Sequence, residues 1–398
     1  MRGPAKARRG SLLNDPGLIH DGSVLIRDGL VEEVGLTRRV ENLKAARDAV
    51  EISAAGRLVM PGFVDSHTHL AFPPPGRAHT GTASALNAVK TSSAKSIANQ
   101  MRQCLQAMAR HGTTTVEVKS GCGGGPRAEL KLLRALSLVN REPVDVVATF
   151  LLCLAAAVGP DPAEAAVEWA CGEFLPLLHR QGLAQFADIE WSPGESRQKL
   201  IRRYLETAAR IGLGCRVHAA GAGPKEAAAL ACDLRIDAID HLEQIVVGEL
   251  GGMVTSGPVI TLLPGLAFHT GGCPAPARAL LENGAAVALG SNFNCSESPM
   301  LNMQAVVSLA CRELGMTPGE ALVAATINGA HALGRAATAG SIEHGKPADL
   351  IVCNVSDYRE LGYHSGMNLV HLTMKRGEFI YQEGDVAPLA AEHLRLAW

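Results

Sequence analysis

The first spacing in this sequence that can do chemistry is His67-Thr68-His69. In an extended chain, residues i and i+2 face the same side, so both imidazoles point one way without a special turn. His218 closes the run Cys215-Arg216-Val217, and His241 closes Asp237-Ala238-Ile239-Asp240. A lone strand-end histidine is ordinarily a hydrogen-bonded structural residue. An HxH pair joined by a histidine from a later strand is a ligand set, and imidazoles suit Zn(II) and Fe(II) alike. The pattern predicts one divalent metal ion, Zn or Fe, held by His67, His69 and His218, with His241 on the same rim.

Something must bring these residues together. Short β-branched, apolar runs fall at 62–66, 113–119, 144–151, 185–190, 213–218, 236–241, 259–263 and 285–291. Between them, 96–110, 127–139, 162–180, 195–211 and 224–232 carry apolar residues at helical spacing, as do 299–314 and 318–333 further on. Eight strand-helix repeats imply a closed parallel barrel more strongly than an open sheet. Such barrels carry function at the C-terminal ends of their strands, where all four histidines fall. The flanks differ. Ser23–Arg27 and Leu30–Val34 read as a hairpin turning at Asp28-Gly29, and 348–352 and 374–381 have strand and turn character. The expected fold is therefore α/β: a (β/α)8 TIM barrel over 61–334, with a small β-sandwich domain assembled from 1–60 and 335–398.

Bulk composition narrows the partners. With 37 basic and 39 acidic residues in 398, the net charge is −2, which recruits neither nucleic acid nor an anionic membrane. A small-molecule substrate is the default expectation. No stretch reaches the roughly 20 apolar residues of a membrane span, and the basic start at residues 1–10 lacks the apolar segment of a secretory signal. The ten cysteines are scattered singly with no CxxC pair, which reads as buried thiols in a reducing cytoplasm.

The histidines lie inside longer recognisable runs. These are Met60-Pro61-Gly62-Phe63-Val64-Asp65-Ser66-His67-Thr68-His69, Gly112-Thr113-Thr114-Thr115-Val116-Glu117-Val118-Lys119-Ser120-Gly121, Asp240-His241-Leu242-Glu243, Ala288-Leu289-Gly290-Ser291-Asn292-Phe293-Asn294, and 340–350. By these runs nearly the whole chain resembles the amidohydrolase superfamily, and within it the imidazolonepropionases, ring-opening enzymes of histidine degradation. The Val-Glu-Val-Lys-Ser-Gly run is the most specific of them. The resemblance implies that the metal polarises a ring carbonyl and acidifies water, while His241 hydrogen-bonds the water or the oxyanion. It further implies that Arg77 grips a substrate carboxylate and that Asn294 binds substrate. A homodimer is among the expected assemblies.

Several positions depart from the family pattern. Asn292 stands where the family has a metal-ligating, proton-shuttling aspartate; its amide oxygen can still reach a metal, but it is uncharged and accepts no proton near neutral pH. Gly221 replaces a Glu or Gln, Cys122 a tyrosine and Leu154 a substrate-contacting histidine, and Ser296 and Glu297 alter a loop. Glu190 is a candidate replacement proton carrier, and Trp191 and His269 are candidate substrate contacts. Three readings follow: a hydrolase with a remodelled site, a metalloenzyme doing cyclisation, elimination or oxidation on a related ring, and a catalytically silent binding homologue.

Overall fold

Alternation along the strand Thr113–Lys119 sets the plan of the molecule, because its odd positions (Thr113, Thr115, Glu117, Lys119) face one side while Val116 and Val118 join the outer apolar core. The computed structural model describes all residues except 1–5, 72–81, 122–124, 155–161, 192–194, 220–223, 244, 247, 249–252, 295–297, 385–392 and 398. In chain order its strands are β1 (Gly22–Arg27), β2 (Leu30–Leu36), β3 (Val50–Ser53), β4 (Leu58–Pro61), β5 (Phe63–Asp65), β6 (Thr113–Lys119), β7 (Asp145–Leu152) and β8 (Phe186–Glu190). They continue with β9 (Gly214–His218), β10 (Ala238–Asp240), β11 (Val259–Leu262), β12 (Val287–Leu289), β13 (Leu350–Cys353), β14 (Val370–Lys375), β15 (Glu378–Gln382) and β16 (His393–Ala397).

Strands β5 to β12 form one eight-stranded parallel sheet in sequence order. Its two ends meet beyond the strands: Thr68 bridges Phe293, the Asn292 N–H donates to His67 O at 3.0 Å, and the His69 N–H donates to Phe293 O at 2.9 Å. The (β/α)8 barrel expected from the runs is thus present, closed through the segment that carries the HxH pair. Gly290 permits that approach, since a Cβ there would lie 2.7 Å from the His67 Cβ.

Helices pack outside through one face each. In Ala94–Arg110 the buried residues are Ile97, Ala98, Met101, Leu105, Met108 and Ala109, a single stripe at helical spacing. Ser93 caps this helix by accepting from the Ser96 N–H at 3.1 Å. Two expected helices are interrupted. The run 162–180 contains a wide turn at Ala170–Phe174, where Phe174 packs between the Trp169 and Phe150 rings with centroids 4.6 and 4.8 Å away. The run 318–333 splits into Pro318–Ala324 and Ile327–Ala332, because the Ala325 carbonyl leaves the helix to accept from the Val64 N–H of β5 at 2.9 Å.

Two four-stranded sheets make up the smaller layer, in orders β2-β1-β16-β3 and β15-β14-β13-β4. The β1–β2 hairpin turns at Asp28 and Gly29, both at positive φ (52° and 76°), as the Asp-Gly signal requires. Val24, Ile26, Val59, Leu350 and Met374 from both sheets share one apolar cluster, so the two sheets pack as a sandwich. No disulfide joins the described cysteines, and Cys273 is exposed rather than buried. No helix among the described residues is long and apolar enough to cross a membrane.

Candidate metal centre

Three barrel strands deliver the four histidines. His67 and His69 follow β5, His218 ends β9 and His241 follows β10. One ring nitrogen from each falls within 4.8 Å of the others, and His67 Nε2 lies 3.3 Å from His69 Nε2. His67 is fully buried while the other three are partly exposed, which leaves the cluster open on one side. Burial pushes His67, His218 and His241 well below the ordinary imidazole value, and pushes His69 down to about 3. All four are therefore neutral near pH 7, the form that ligates a metal.

The donor set is also left without internal partners. His218 Nδ1, His241 Nε2 and Asn292 Oδ1 are buried polar atoms with no hydrogen bond. Buried polar groups are ordinarily paired, so orphaned ring nitrogens on two of the four clustered histidines, with an orphaned amide oxygen on Asn292, whose backbone N–H bonds His67 O, fit a divalent ion. His241 and Asn292 both hold left-handed backbone, φ 62° and 52°, an arrangement that costs a non-glycine residue about 1–3 kcal/mol and gathers at functional sites.

A layer of charge underlies the histidines. The His67 Nδ1–H donates to Asp240 Oδ2 at 2.9 Å, which turns Nε2 toward the cluster. Burial alone would raise the Asp240 carboxyl, but Arg216 and Lys119 beside it outweigh burial and hold it well below the carboxylate range. Burial lifts Asp65 to about 7; its Oδ1 accepts from the Ser291 N–H at 2.9 Å and so ties β5 to the chain after β12. Glu243 Oε2 lies 3.8 Å from His241 Nδ1.

The remaining candidates are dispersed. Glu190 lies opposite His218 in the β8–β9 ladder, and the Trp191 N–H donates to His218 O at 2.8 Å with its indole buried. The Asn294 side chain donates to Asn292 O at 3.1 Å. Leu154 is buried in the main apolar core, and His269 is exposed on the helix Pro264–Thr270 with its ring edge-on to Phe268. Arg77, Cys122 and Gly221 lie outside the described residues. Sequence reasoning missed Asp240, Arg216, Asp188 and Glu243 as site residues, and treated Glu117 and Lys119 only as part of a family run. A signal existed: Glu117 and Lys119 sit two apart on a strand of otherwise uncharged residues, which puts both on the barrel's inner face.

Comparison with known proteins gives this geometry its context. Residues 270–380 match the Amidohydrolase family. The imidazolonepropionase of Geobacillus kaustophilus (strain HTA426) is 36% identical over 94% of this chain and 93% of its own. That of Symbiobacterium thermophilum is 37% identical over 95% and 94%, respectively. The chain belongs to the imidazolonepropionase family. As an imidazolonepropionase-like protein it is a hydrolase of C–N bonds, and the histidine cluster is its candidate divalent-metal site. Solved structures agree on the fold. A zinc-bound adenosine deaminase from Xanthomonas campestris superposes with TM-score 0.70 at 18% identity, covering 92% of this chain and 90% of that one. E. coli guanine deaminase gives TM-score 0.68 at 17% identity, covering 95% and 99%.

Proposed function

We propose that this chain is a metal-dependent hydrolase that opens the C–N bond of a cyclic, imidazolone-type amide bearing a carboxylate, with proton transfer resting on His241. The observation that carries this reading is the set of buried, unpartnered donors His218 Nδ1, His241 Nε2 and Asn292 Oδ1. An unsatisfied buried polar atom costs about 1–3 kcal/mol. Two of these atoms belong to one cluster of four neutral imidazoles, which supports a bound ion over a silent binding site.

His67, His69 and His218 would hold one ion, Zn or Fe, with Asn292 Oδ1 as a weak neutral donor. Bound there, such an ion supplies Lewis acidity toward a carbonyl oxygen and lowers the pKa of water. The chain's own residues do the rest. His241, neutral and with Nε2 unpaired, takes the water proton as oxygen bonds to the ring carbonyl carbon, then returns it to the departing ring nitrogen. One water is consumed, one C–O bond forms and one C–N bond breaks. Arg77, assigned by resemblance, would bind the substrate carboxylate, and Asn294 would contact the ring. Glu190 is the alternative proton carrier, opposite His218.

The test is turnover of 4-imidazolone-5-propanoate by the wild type and by Asn292→Asp, with zinc or iron supplied. Loss of a general acid/base costs about 100-fold to 10,000-fold, so the wild type should run at least that far below a typical enzyme rate of about 10 per second. Asn292→Asp should tighten metal binding more than it restores turnover. A ring-opened product with one water added is expected, and His241→Asn should abolish its formation. An isomer, a dehydrated product or oxygen consumption would overturn the hydrolytic reading. A wild-type rate within tenfold of 10 per second would show that the aspartate is dispensable.

A further inference from the structure

Beneath the histidines the barrel interior holds five fully buried charged side chains from four strands: Glu117 and Lys119 of β6, Asp188 of β8, Arg216 of β9 and Asp240 of β10. The Lys119 ammonium lies 2.5 Å from Asp188 Oδ2, 3.1 Å from Glu117 Oε1 and 3.1 Å from Asp240 Oδ2. Arg216 donates to both Asp240 oxygens, at 2.9 and 3.1 Å. It is also a strut between backbones, donating to Ser66 O and Ala332 O at 3.0 Å each. Asp240 Oδ2 is the atom that both Lys119 and the His67 Nδ1–H reach.

That shared oxygen gives the cluster a direction. A carboxylate on one ring nitrogen fixes the tautomer and orientation of a histidine, leaving the other nitrogen's lone pair to the ligand. The carboxylate does this only while it is charged and held still. Arg216 holds Asp240 from the backbone side, and Lys119 holds it from the interior, fixed in turn by Asp188 and Glu117. We propose that Lys119 is a positioning residue of the metal centre, acting through Asp240 to present His67. The proposal rests on the metal-centre reading above. The bland alternative is that Lys119 only neutralises three buried carboxylates so that the barrel can fold.

Charge compensation separates the two. Lys119→Met leaves three carboxylates facing Arg216 alone, whereas Lys119→Met/Asp188→Asn restores the wild-type charge balance without restoring the contact to Asp240. Zinc affinity is measured by competition with a chelator, and thermal stability is measured on the zinc-free proteins. Wild type should bind one zinc per chain; failure here would sink the metal-centre reading and leave the proposal without its object. Lys119→Met should lose both stability and zinc affinity. In the double variant, stability should recover while zinc affinity stays about 10-fold to 100-fold below wild type, the usual cost of losing an outer-shell partner. Asp240→Asn should show the same affinity loss, and Asp188→Asn alone should lose clearly less than the double variant. Should Lys119→Met fail to fold, the double variant carries the comparison by itself. Recovery of affinity together with stability in the double variant, or an equal loss in Asp188→Asn alone, would overturn the proposal.

Discussion

Asn328 at the N-terminal mouth of the barrel and the histidines at its C-terminal mouth both carry buried polar atoms, yet they use them in opposite ways. At the N-terminal mouth, the helix Ile327–Ala332 and the segment around Arg8 close the strands. The Asn328 side chain is fully buried and fully used: Oδ1 accepts from the Arg8 N–H at 2.8 Å, and Nδ2 donates to Arg8 O and Val287 O at 2.9 Å each. Arg9 donates to Val254 O at 2.6 Å, and Ala7 packs against Ala238, Val259 and Ala286 at the strand starts. At the C-terminal mouth, His218, His241 and Asn292 keep unpaired atoms, and two of the three hold strained backbone. Satisfied polar groups hold a fold together. Unsatisfied ones on clustered histidines are what a ligand site would show.

The contrast makes opposite demands on mutants at the two ends. Replacing His67 and His69 together by Ala should remove metal binding altogether while the barrel stays folded, because the site sits on the loop face. Full metal stoichiometry in that variant, measured by elemental analysis, would break the ligand assignment. At the other mouth, Asn328→Ala removes the side chain that bonds the Arg8 amide, the Arg8 carbonyl and the Val287 carbonyl. It should cost about 3 kcal/mol of unfolding free energy, read from denaturant melts, at about 1 kcal/mol for each of the three hydrogen bonds lost. Metal affinity should not change. A loss of affinity there would mean that the mouths are not separable.

The two ends were unequally legible in the sequence. Strand-end histidines announce themselves, since His is an uncommon residue in an apolar run and a spacing of two puts a pair on one face; the eight strands were read within a few residues for the same periodic reason. The N-terminal plug gave no such signal. Asn328 lies between Ile327 and Gly329 in a stretch that reads as ordinary helix, and its partner Arg8 is 320 residues away. β16 was missed likewise: it is five residues long, and it pairs antiparallel with β1 and parallel with β3 at the opposite end of the chain. The charged layer under the histidines fell between these cases. The spacing of Glu117 and Lys119 marks both as inward residues of β6, but Asp188, Arg216 and Asp240 come from three other strands, and only the closed barrel brings them into one charged network with Lys119.

The smallest effect tests how far the structural end extends outward. The helix Pro318–Ala324, which leads into the plug, starts with a capping box: Thr317 Oγ1 accepts from the Glu320 N–H, and Glu320 accepts from the Thr317 N–H at 2.8 Å. Glu320 also takes a two-pronged contact from Arg278, at 2.9 Å to each oxygen, and Thr317 donates to Asn14 at 2.6 Å. Burial would raise the Glu320 carboxyl, but the Arg278 guanidinium and the Thr317 amide outweigh it and hold the group below its ordinary 4.5. A carboxyl with a depressed folded value binds its proton more readily in the unfolded chain. Its contribution to stability is therefore complete above pH 4.5 and fades as pH falls through the folded value. Arg278 is substantially exposed, so solvent screening keeps the contribution to about 1 kcal/mol. Glu320→Gln should accordingly be less stable than wild type at pH 7, and the difference should narrow in strongly acidic buffer, as followed by paired denaturant melts. A gap that persists unchanged into acid would assign the loss to packing around the helix start rather than to the charge, and would place this capping box outside the polar network that closes the barrel.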